Sequence, residues 1–251
     1  MTATIASIQR HPLKSHGREE LAEVTLTAGQ GLPWDRRWAV AHEAAKINEG
    51  SWSPCQNFSR GSKAPRLMAI SARLDEAAAR LTLIHPDLPE ISFRPDDADD
   101  QARFLDWVRP ICPADRAQPA RIYSIPVRGM TDTDYPSVSL LSLASNRALS
   151  DQMRVPLSPL RWRGNFWIDG LDPFAECDLI GRTVRLGAAR LEIVEPIVRC
   201  LATTANPATG ERDADTLGAL QSHHGHQNFG VYARVIDGGA VRQGDRLEVL
   251  A

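Results

Sequence analysis

Short apolar runs with weak two-residue alternation dominate the first third of the chain and predict strands rather than helices. The predicted strands cover Ala3–Gln9, Val24–Leu26, Arg37–His42, Arg66–Leu74 and Arg80–Ile84. A turn-forming segment separates the last two runs, so we expect these two strands to pair with each other. The first third is therefore predicted to be mostly β-structure.

Two later segments have helical spacing. Gln101–Arg109 carries apolar residues on one face, follows an aspartate that can cap a helix, and ends at a proline. Ser139–Met153 repeats leucine and alanine at helical spacing and is followed within three residues by a proline, which makes it the strongest helix prediction. Between them, Cys112–Ala120 contains two prolines and no apolar period. We therefore place a domain boundary here, between residues 1–115 and residues 120–251.

Beyond residue 180 the pattern again predicts short strands. Thr183–Leu186 and Arg190–Val194 flank a Gly-Ala-Ala turn and predict a hairpin. Three further runs, separated by glycine-containing turns, predict a meander over Val231–Ile236, Ala240–Arg242 and Arg246–Leu250. A closed or half-closed barrel would leave few exposed edges on so many short strands. We therefore predict a mainly β fold with a few helices, of the α+β class, that contains a barrel.

The composition is typical of a soluble globular protein, since 43% of the 251 residues are hydrophobic and 24% are charged. The net charge of −2 gives no general attraction to nucleic acids or anionic membranes. The longest apolar stretch, around Val138–Ala144, is far shorter than the roughly 20 residues that span a bilayer. Because polar and basic residues interrupt the N-terminus before a signal-peptide core forms, we expect a cytoplasmic chain with no membrane span and no nucleic-acid partner.

The four cysteines are widely spaced and form no C-x-x-C pair, which excludes the common zinc-binding spacings. Buried free thiols are the default expectation for Cys55, Cys112 and Cys177. Cys200 differs, because it follows an arginine at a strand-to-loop junction rich in hydroxyl groups and turn-forming residues. A neighbouring positive charge favours the thiolate, which attacks electrophiles or binds soft metals. Cys200 is therefore the candidate reactive cysteine, with a buried structural thiol as the alternative.

Three basic turn segments are candidates for binding an anion, namely His11–Ser15, Asp35–Trp38 and Arg161–Asn165. Guanidinium forks and a side-chain amide can bind a phosphate or the edge of a pterin, but a solvated surface loop is an equally good interpretation. For the histidine tract His223–His226 and the trio Glu176–Asp178 we favour polar turns over metal sites. The chain also lacks the common nucleotide-binding, serine-hydrolase and zinc-protease motifs.

Taken in order, several segments resemble motifs of the MOSC family, named for the C-terminal domain of molybdenum cofactor sulfurase. HPLKS is similar to the family's Y-P-V-K-S, DRRW to D-R-x-W, and RWRGNFWIDG to R-F-R-P-N-I-x-I-x-G. VRCLATTANPATG resembles x-R-C-x-x-T-T-x-D-P-x-T-G, and SVSLLSLASN, DPFAECD, FGVY and a late GD complete the series. The resemblance spans nearly the whole chain. It implies a β-barrel MOSC domain packed with a smaller N-terminal β-barrel-like subdomain.

The resemblance also implies a site for the molybdenum cofactor, Mo-molybdopterin. In the amidoxime-reducing MOSC enzymes the cysteine of the R-C motif binds molybdenum, which makes Cys200 the implied metal ligand and catalytic residue. Family positions that contact the pterin and its phosphate, or lie beside the ligand loop, correspond to Lys14, Ser15, Arg36, Arg163, Asn165, Thr203 and Thr204. A soft thiolate and scattered cations suit such a ligand. The chain departs from the family pattern at Val198, Asn206 and Gly164, which affects the expected substrate more than the expected cofactor.

The leading hypothesis is a molybdenum-dependent oxidoreductase that reduces small N-hydroxylated substrates. Its electrons would come from a separate donor protein, because the chain has no flavin, haem or iron–sulfur signature. A second hypothesis is a sulfur carrier for cofactor maturation that holds a persulfide on Cys200. A third is a binding module that carries the intact cofactor without catalysis.

Overall fold

The computed structural model describes residues 3–48, 50–125 and 128–250. Within these residues the structure has fifteen strands: β1 (Thr4–Arg10), β2 (Glu19–Leu21), β3 (Glu23–Leu26), β4 (Trp38–His42), β5 (Ser71–Asp75), β6 (Arg80–His85), β7 (Leu88–Phe93), β8 (Pro119–Ser124), β9 (Val138–Ser142), β10 (Phe166–Asp169), β11 (Thr183–Leu186), β12 (Ala189–Val198), β13 (Asn228–Asp237), β14 (Gly239–Arg242) and β15 (Leu247–Val249). The α-helices are α1 (Ala98–Val108), α2 (Leu143–Met153) and α3 (Thr216–His224). Single 3-10 turns cover Cys55–Asn57, Pro65–Ala69, Arg109–Ile111, Pro159–Trp162, Ala175–Leu179 and Leu201–Thr204. The predicted mainly β fold with a few helices is confirmed.

The largest sheet has eight strands in the order β15-β11-β12-β13-β9-β10-β1-β2. Its pairs are antiparallel except for β9 and β10, which run parallel. The sheet curls until edge strand β15 lies near β1. The backbone N–H of Leu247 donates to the carbonyl of Ala3, and that of Ile5 donates to the carbonyl of Asp245, both at 2.9 Å. These bonds join the segment around edge strand β15 to β1. The result is a half-closed barrel around an aliphatic core that includes Ile5, Ile8 and Ile193.

Smaller sheets contain the other strands: β5-β6-β7, the β4–β8 pair and the β3–β14 pair. Helix α1 packs against β7 and β8, and Phe93 stacks on Phe104 with ring centroids 4.8 Å apart. This contact lies in a second core that also contains Trp38, Leu81 and Leu83. Strand β1 pairs with β10, β2 pairs with β1, and β3 pairs with β14, so these three strands join the large barrel and its neighbouring ribbon. The division into residues 1–115 and 120–251 stays a prediction.

The helix predicted over Ser139–Met153 begins later than expected, at Leu143. Its first part forms β9 instead, in which all five residues are buried between β10 and β13. Burial in a central strand outweighs the helical spacing of the leucines, because tertiary packing overrides local propensity. The Ser142 side chain then accepts a hydrogen bond from the backbone N–H of Ser145 and caps α2.

Two strand predictions also need correction. The run Arg66–Leu74 begins as the 3-10 turn Pro65–Ala69 and becomes a strand only at Ser71, because proline fixes its own backbone and lacks an N–H for a sheet. The predicted C-terminal meander has the expected strands but different partners, since β14 pairs with β3 and β15 pairs with β11. By contrast, the hairpin of β11 and β12 and the β5–β6 pair are confirmed.

No helix among the described residues has both the length and the apolar character needed to cross a membrane.

Candidate functional site

A pocket of about 230 Å³ opens where two N-terminal basic turns meet the loops before β10 and after β12. We call it the site pocket. Six of the eight residues predicted for a site line it: Lys14, Ser15, Arg36, Arg163, Cys200 and Thr203. Segments separated by almost 190 positions along the chain therefore meet at one cavity.

Backbone hydrogen bonds hold the two N-terminal turns side by side. The N–H of Lys14 donates to the carbonyl of Trp38 at 2.8 Å, and the N–H of Arg36 donates to the carbonyl of His11 at 2.7 Å. The Arg36 side chain then crosses to the third segment, where Nη2 donates to the carbonyl of Arg163 at 3.0 Å. The three basic turns found in the sequence thus form one connected structure.

Three non-glycine residues of the site pocket have a left-handed backbone. The φ angles are +64° for Ser15, +51° for Arg36 and +52° for Arg163. Such conformations cost about 1–3 kcal/mol each and cluster at functional sites, where the surrounding structure maintains them. Their concentration at one cavity is an indication of function that does not depend on side-chain chemistry.

Arg36 is held by a buried carboxylate. Asp35 forms a short ion pair with Arg36 and accepts a hydrogen bond from the backbone N–H of His11 at 2.7 Å. Burial disfavours the charged form of Asp35, but Arg36 and His11 hold its pKa well below the ordinary value. Burial, followed by the charge of Arg163, lowers the pKa of His11 to about 3, so its ring is neutral near pH 7. A permanent charge pair therefore fixes the guanidinium at the pocket wall.

Lys14, in the first N-terminal turn, is anchored by a backbone carbonyl and a carboxylate. Its Nζ donates to the carbonyl of Met130 at 2.7 Å and to Oδ1 of Asp132 at 2.5 Å. Desolvation disfavours the carboxylate of Asp132, but Lys14 and Arg36 hold its pKa at about 2. Asp132 therefore stays charged and offsets part of the positive charge of the pocket.

The positive charge of the site pocket is only partly compensated. Its described lining contains one carboxylate, that of Asp132, and six cationic residues: Lys14, Arg36, Arg60, Arg161, Arg163 and Arg199. Desolvation, followed by repulsion from Arg36 and Arg18, lowers the pKa of Arg163 to about 9. Its Nη1 atom is buried without a hydrogen-bond partner among the described residues. An anion in the pocket would satisfy this donor and relieve the repulsion.

Cys200 lies at the mouth of this basic cavity, between the end of β12 and the 3-10 turn Leu201–Thr204. Cys200 is exposed, whereas Cys55, Cys112 and Cys177 are half-buried. The preceding Arg199 donates from its Nε to the carbonyl of Phe229 and from Nη1 to that of Trp162, both at 2.8 Å. The carbonyl of Cys200 also accepts the hydroxyl of Thr203 at 3.1 Å. The loop is thus fixed while its thiol remains accessible.

The last two predicted site residues lie outside the pocket lining. Asn165 is buried, where its Oδ1 accepts from Oγ of Ser139 at 3.0 Å and its Nδ2 donates to the carbonyl of Gln9 at 3.2 Å. It joins β1 and β9 beside the start of β10. The hydroxyl of Thr204 donates to the carbonyl of Leu201 at 2.9 Å and accepts from Arg212. Both side chains support the walls of the pocket, and their contact with a cofactor stays a prediction.

Several lining residues were not predicted for the site: Cys55, Arg60, Asp132, Arg199 and Tyr232. Arg199 and Tyr232 stand inside recognised motifs, so the family pattern could have indicated them. Burial raises the pKa of Tyr232, which keeps its phenol protonated. Asp132, Cys55 and Arg60 lie in loops without a periodic pattern, and only the tertiary structure brings them to the pocket.

The other two polar clusters considered from the sequence lie outside the site pocket. Nε2 of His224 lies 3.1 Å from Oε1 of Gln152, and the His224 ring packs on Phe174 with centroids 4.1 Å apart. Glu176 is buried and accepts a hydrogen bond from Ser145 at 2.7 Å. Across residues 3–48, 50–125 and 128–250, no group of three or more His, Cys, Asp or Glu residues is arranged to hold a metal ion.

Comparison with known proteins accounts for both halves of the chain. A family model described as the MOSC domain matches residues 130–248, and one described as the MOSC N-terminal beta barrel domain matches residues 2–111. The chain belongs to the MOSC family. The site pocket of this MOSC protein draws on both matched regions, since Lys14 and Arg36 lie in the first and Arg163 and Cys200 in the second.

A curated relative of this MOSC protein is mitochondrial amidoxime-reducing component 1 of Xenopus laevis. It is 35% identical over 126 residues, which are 44% of this chain and 36% of that protein, so the match spans about a third of the relative's length. Among solved structures, the YUAD protein of Bacillus subtilis has a TM-score of 0.47 and 15% identity, with 99% of this chain and 96% of that chain covered. YiiM of Geobacillus stearothermophilus has a TM-score of 0.37 and 17% identity, with 45% and 54% covered.

Proposed function

We propose that this MOSC protein binds Mo-molybdopterin in the site pocket and reduces small N-hydroxylated substrates with electrons from a separate donor protein. The observation that carries the proposal is one accessible thiol at the mouth of a cavity with six cationic residues and one carboxylate. A pterin with a phosphate group needs cations and hydrogen-bond donors, and molybdenum needs a soft ligand. The relative named for amidoxime reduction supports the choice of substrate class.

The residues present fit this cofactor. Lys14, Arg36 and Arg163 would bind its phosphate and pterin edge, and the unpartnered Nη1 of Arg163 is a donor ready for that role. Ser15 would add a hydroxyl donor. Cys200 would bind the metal through its thiolate, with Arg199 fixing the loop behind it.

When bound, the cofactor supplies the two electrons that, together with two protons, convert an N–OH group into N–H and water. The protein's part is to orient the substrate and supply hydrogen bonds. Tyr232 lines the same cavity as Cys200, and its protonated phenol can donate a hydrogen bond to the departing hydroxyl group. Asp132 stays charged near pH 7 and therefore accepts rather than donates.

Molybdenum content tests the assignment of Cys200. We expect the purified wild-type protein to contain molybdenum and the Cys200→Ala variant to lose it, because the thiolate is the implied protein ligand. Cys177→Ala is the matched control, since this half-buried thiol packs against the barrel core away from the site pocket. Equal molybdenum content in the wild type and Cys200→Ala would contradict the assignment.

The same preparations separate the two other functions considered for this chain. A protein free of molybdenum that carries a reducible extra sulfur atom on Cys200, seen by mass spectrometry, would be a sulfur carrier. A protein that retains molybdopterin but reduces no amidoxime with an artificial electron donor would be a binding module. Reduction of benzamidoxime to benzamidine by the wild type, with loss of turnover in Cys200→Ala, is the result expected of the oxidoreductase.

A further inference from the structure

A second cavity of about 240 Å³ lies beside the site pocket, and the proposed function does not use it. We call it the side cavity. Arg60 lines both cavities, and its Nη1 donates to Sγ of Cys55, which lines the site pocket with Cys200, at 3.3 Å. The next residue, Gly61, packs near Ala202 of the Cys200 loop. Arg60 is thus common to the linings of both cavities.

The lining of the side cavity combines cations with apolar surface. Its cations are Arg60, Lys63 and Arg116, and the described lining contains no carboxylate. Lys63 is exposed and forms no ion pair with a described residue. Arg116 has one acidic neighbour, Asp115, whose Oδ2 is 3.8 Å from its Nε, and both side chains are more than half exposed. Such an exposed pair contributes little, so the charge of Arg116 remains available to a ligand.

The apolar part of the side cavity consists of Phe58, Ala64, Pro113 and Ala117 beside the thiol of Cys112. Phe58 is 1% exposed, and Ala64 is also buried. Burial raises the pKa of Cys112 to about 11, so this thiol adds no negative charge near pH 7. Pockets of this kind accept an organic group whose body is apolar and whose end is anionic.

We propose that the side cavity binds an oxyanion, either a carboxylate or a phosphate. This oxyanion belongs to the substrate whose N-hydroxyl group is reduced in the site pocket, so the inference rests on the proposed function. The substrate would extend past Arg60 from one cavity to the other. The preferred substrates are therefore N-hydroxylated molecules with an anionic tail. Neutral amidoximes lack the group that the side cavity binds.

The test compares three substrates that differ only at the para position: benzamidoxime, 4-carboxybenzamidoxime and 4-phosphonobenzamidoxime. In the variant K63Q/R116Q we expect the kcat/KM of each anionic compound, relative to that of benzamidoxime, to fall about tenfold. The control R103Q/R109Q removes the same charge from two exposed positions, one on α1 and one directly after it, and should keep the wild-type ratios. Equal ratios in all three proteins would overturn the proposal. The two anionic compounds show which oxyanion the cavity prefers.

A binding measurement keeps this result separate from the proposed reaction. Calorimetry on the purified wild-type protein without an electron donor, where no turnover occurs, should give tighter binding of 4-carboxybenzamidoxime than of benzamidoxime. The difference should decrease with added salt and should be smaller in K63Q/R116Q than in R103Q/R109Q. If no substrate is reduced but this preference is present, the proposed reaction fails and the anion site stands. Equal affinities for the two compounds would remove the anion site.

The cofactor itself is the competing source of an oxyanion. If a distal group of the cofactor occupied the side cavity, K63Q/R116Q would contain less molybdenum and less pterin than R103Q/R109Q. We expect K63Q/R116Q to retain both at the level of R103Q/R109Q. Loss of the cofactor would overturn the assignment of this cavity to the substrate.

Discussion

Arg163 destabilises the folded chain but is suited to binding an anion in the site pocket. Its guanidinium is desolvated, is repelled by Arg36 and Arg18, has a positive φ angle and leaves one buried donor atom without a described partner. Each feature opposes folding, and an anion would relieve the repulsion and satisfy the donor. This combination is the strongest physical reason to expect a phosphate group in the site pocket.

Chemistry at the level of single residues was only partly predictable. The sequence indicated Lys14, Arg36 and Arg163 as basic turn residues, but an exposed loop explained each of them equally well. What distinguishes the two interpretations is the hydrogen bond from Arg36 to the carbonyl of Arg163, across 127 positions, and the unpaired donor beside it. Such a contact depends on the tertiary structure, and only the motif resemblance pointed to it from sequence.

The buried histidines behind the N-terminal turns predict a dependence of stability on pH. Burial lowers the pKa of His11 to about 3 and that of His16 to about 4, whereas both rings titrate near 6.5 in the unfolded chain. Between these values the unfolded chain binds more protons, so the free energy of unfolding falls as the pH drops below about 6.5. Each ring contributes about 1.4 kcal/mol per pH unit.

Urea denaturation at pH values from about 7 to about 5 measures this effect. We expect His11→Gln to reduce the slope of the unfolding free energy with pH, because one of the two titrating rings is gone. His223→Gln, at an exposed position near the end of α3, should keep the wild-type slope. An unchanged slope in His11→Gln would show that its ring is protonated equally in the folded and unfolded chain.

At the scale of elements, the capping residues decide where the helices begin. Asp97 accepts hydrogen bonds from the backbone N–H groups of Asp99 and Asp100, at 3.1 and 3.0 Å, and α1 starts directly after it. The sequence located this helix within three residues of its true start from its apolar face, but the capping aspartate is Asp97 rather than Asp100, which directly precedes Gln101. For α2 the cap, Ser142, lies inside an apolar run that also suits a buried strand, and the sequence prediction began too early.

Removal of the α1 cap should destabilise the protein without affecting the site pocket. We expect Asp97→Ala to lower the free energy of unfolding by about 1 kcal/mol, since two backbone donors lose their partner. Asp106→Ala is on the same helix and removes only an exposed ion pair with Arg109, so it should change the free energy of unfolding by less than about 0.5 kcal/mol. Denaturant titration of the three proteins measures the difference. Equal stability of the two variants would show that the cap contributes no more than a surface charge.

For the whole molecule, the sequence predicted which segments form strands and helices better than it predicted which strands pair with each other. The last three strands were expected to follow one another in a meander, but β14 pairs with β3 and β15 with β11. The paired strands β3 and β14 lie more than 200 positions apart, and β11 and β15 about 60. Pairing at either separation leaves no local signal, because each strand needs only a short apolar run. Long-range contacts of the same kind bring the turns near residues 14 and 36 to the Cys200 loop.

The Cys200 loop is held against the N-terminal half by contacts that a single methyl group would disturb. Arg212 donates from Nη2 to the carbonyl of Ser62 at 2.9 Å, and Arg18 donates to that of Pro207 at 2.8 Å. At Gly210, where φ is +76°, a Cβ atom would lie 2.4 Å from the Cα of Arg66. Backbone occupies that space, so the loop would have to move away.

We therefore expect Gly210→Ala to destabilise the protein more than a matched glycine substitution and to reduce its molybdenum content. Gly225→Ala is the control, because Gly225 has a φ of +75° but nothing within 4 Å of the added methyl group. Backbone strain alone should cost each variant about 1–2 kcal/mol of unfolding free energy. Gly210→Ala should lose further stability from the clash, and it should bind less cofactor because the displaced loop carries Cys200. Equal stability and equal molybdenum content in the two variants would show that the contact with Arg66 does not position the loop.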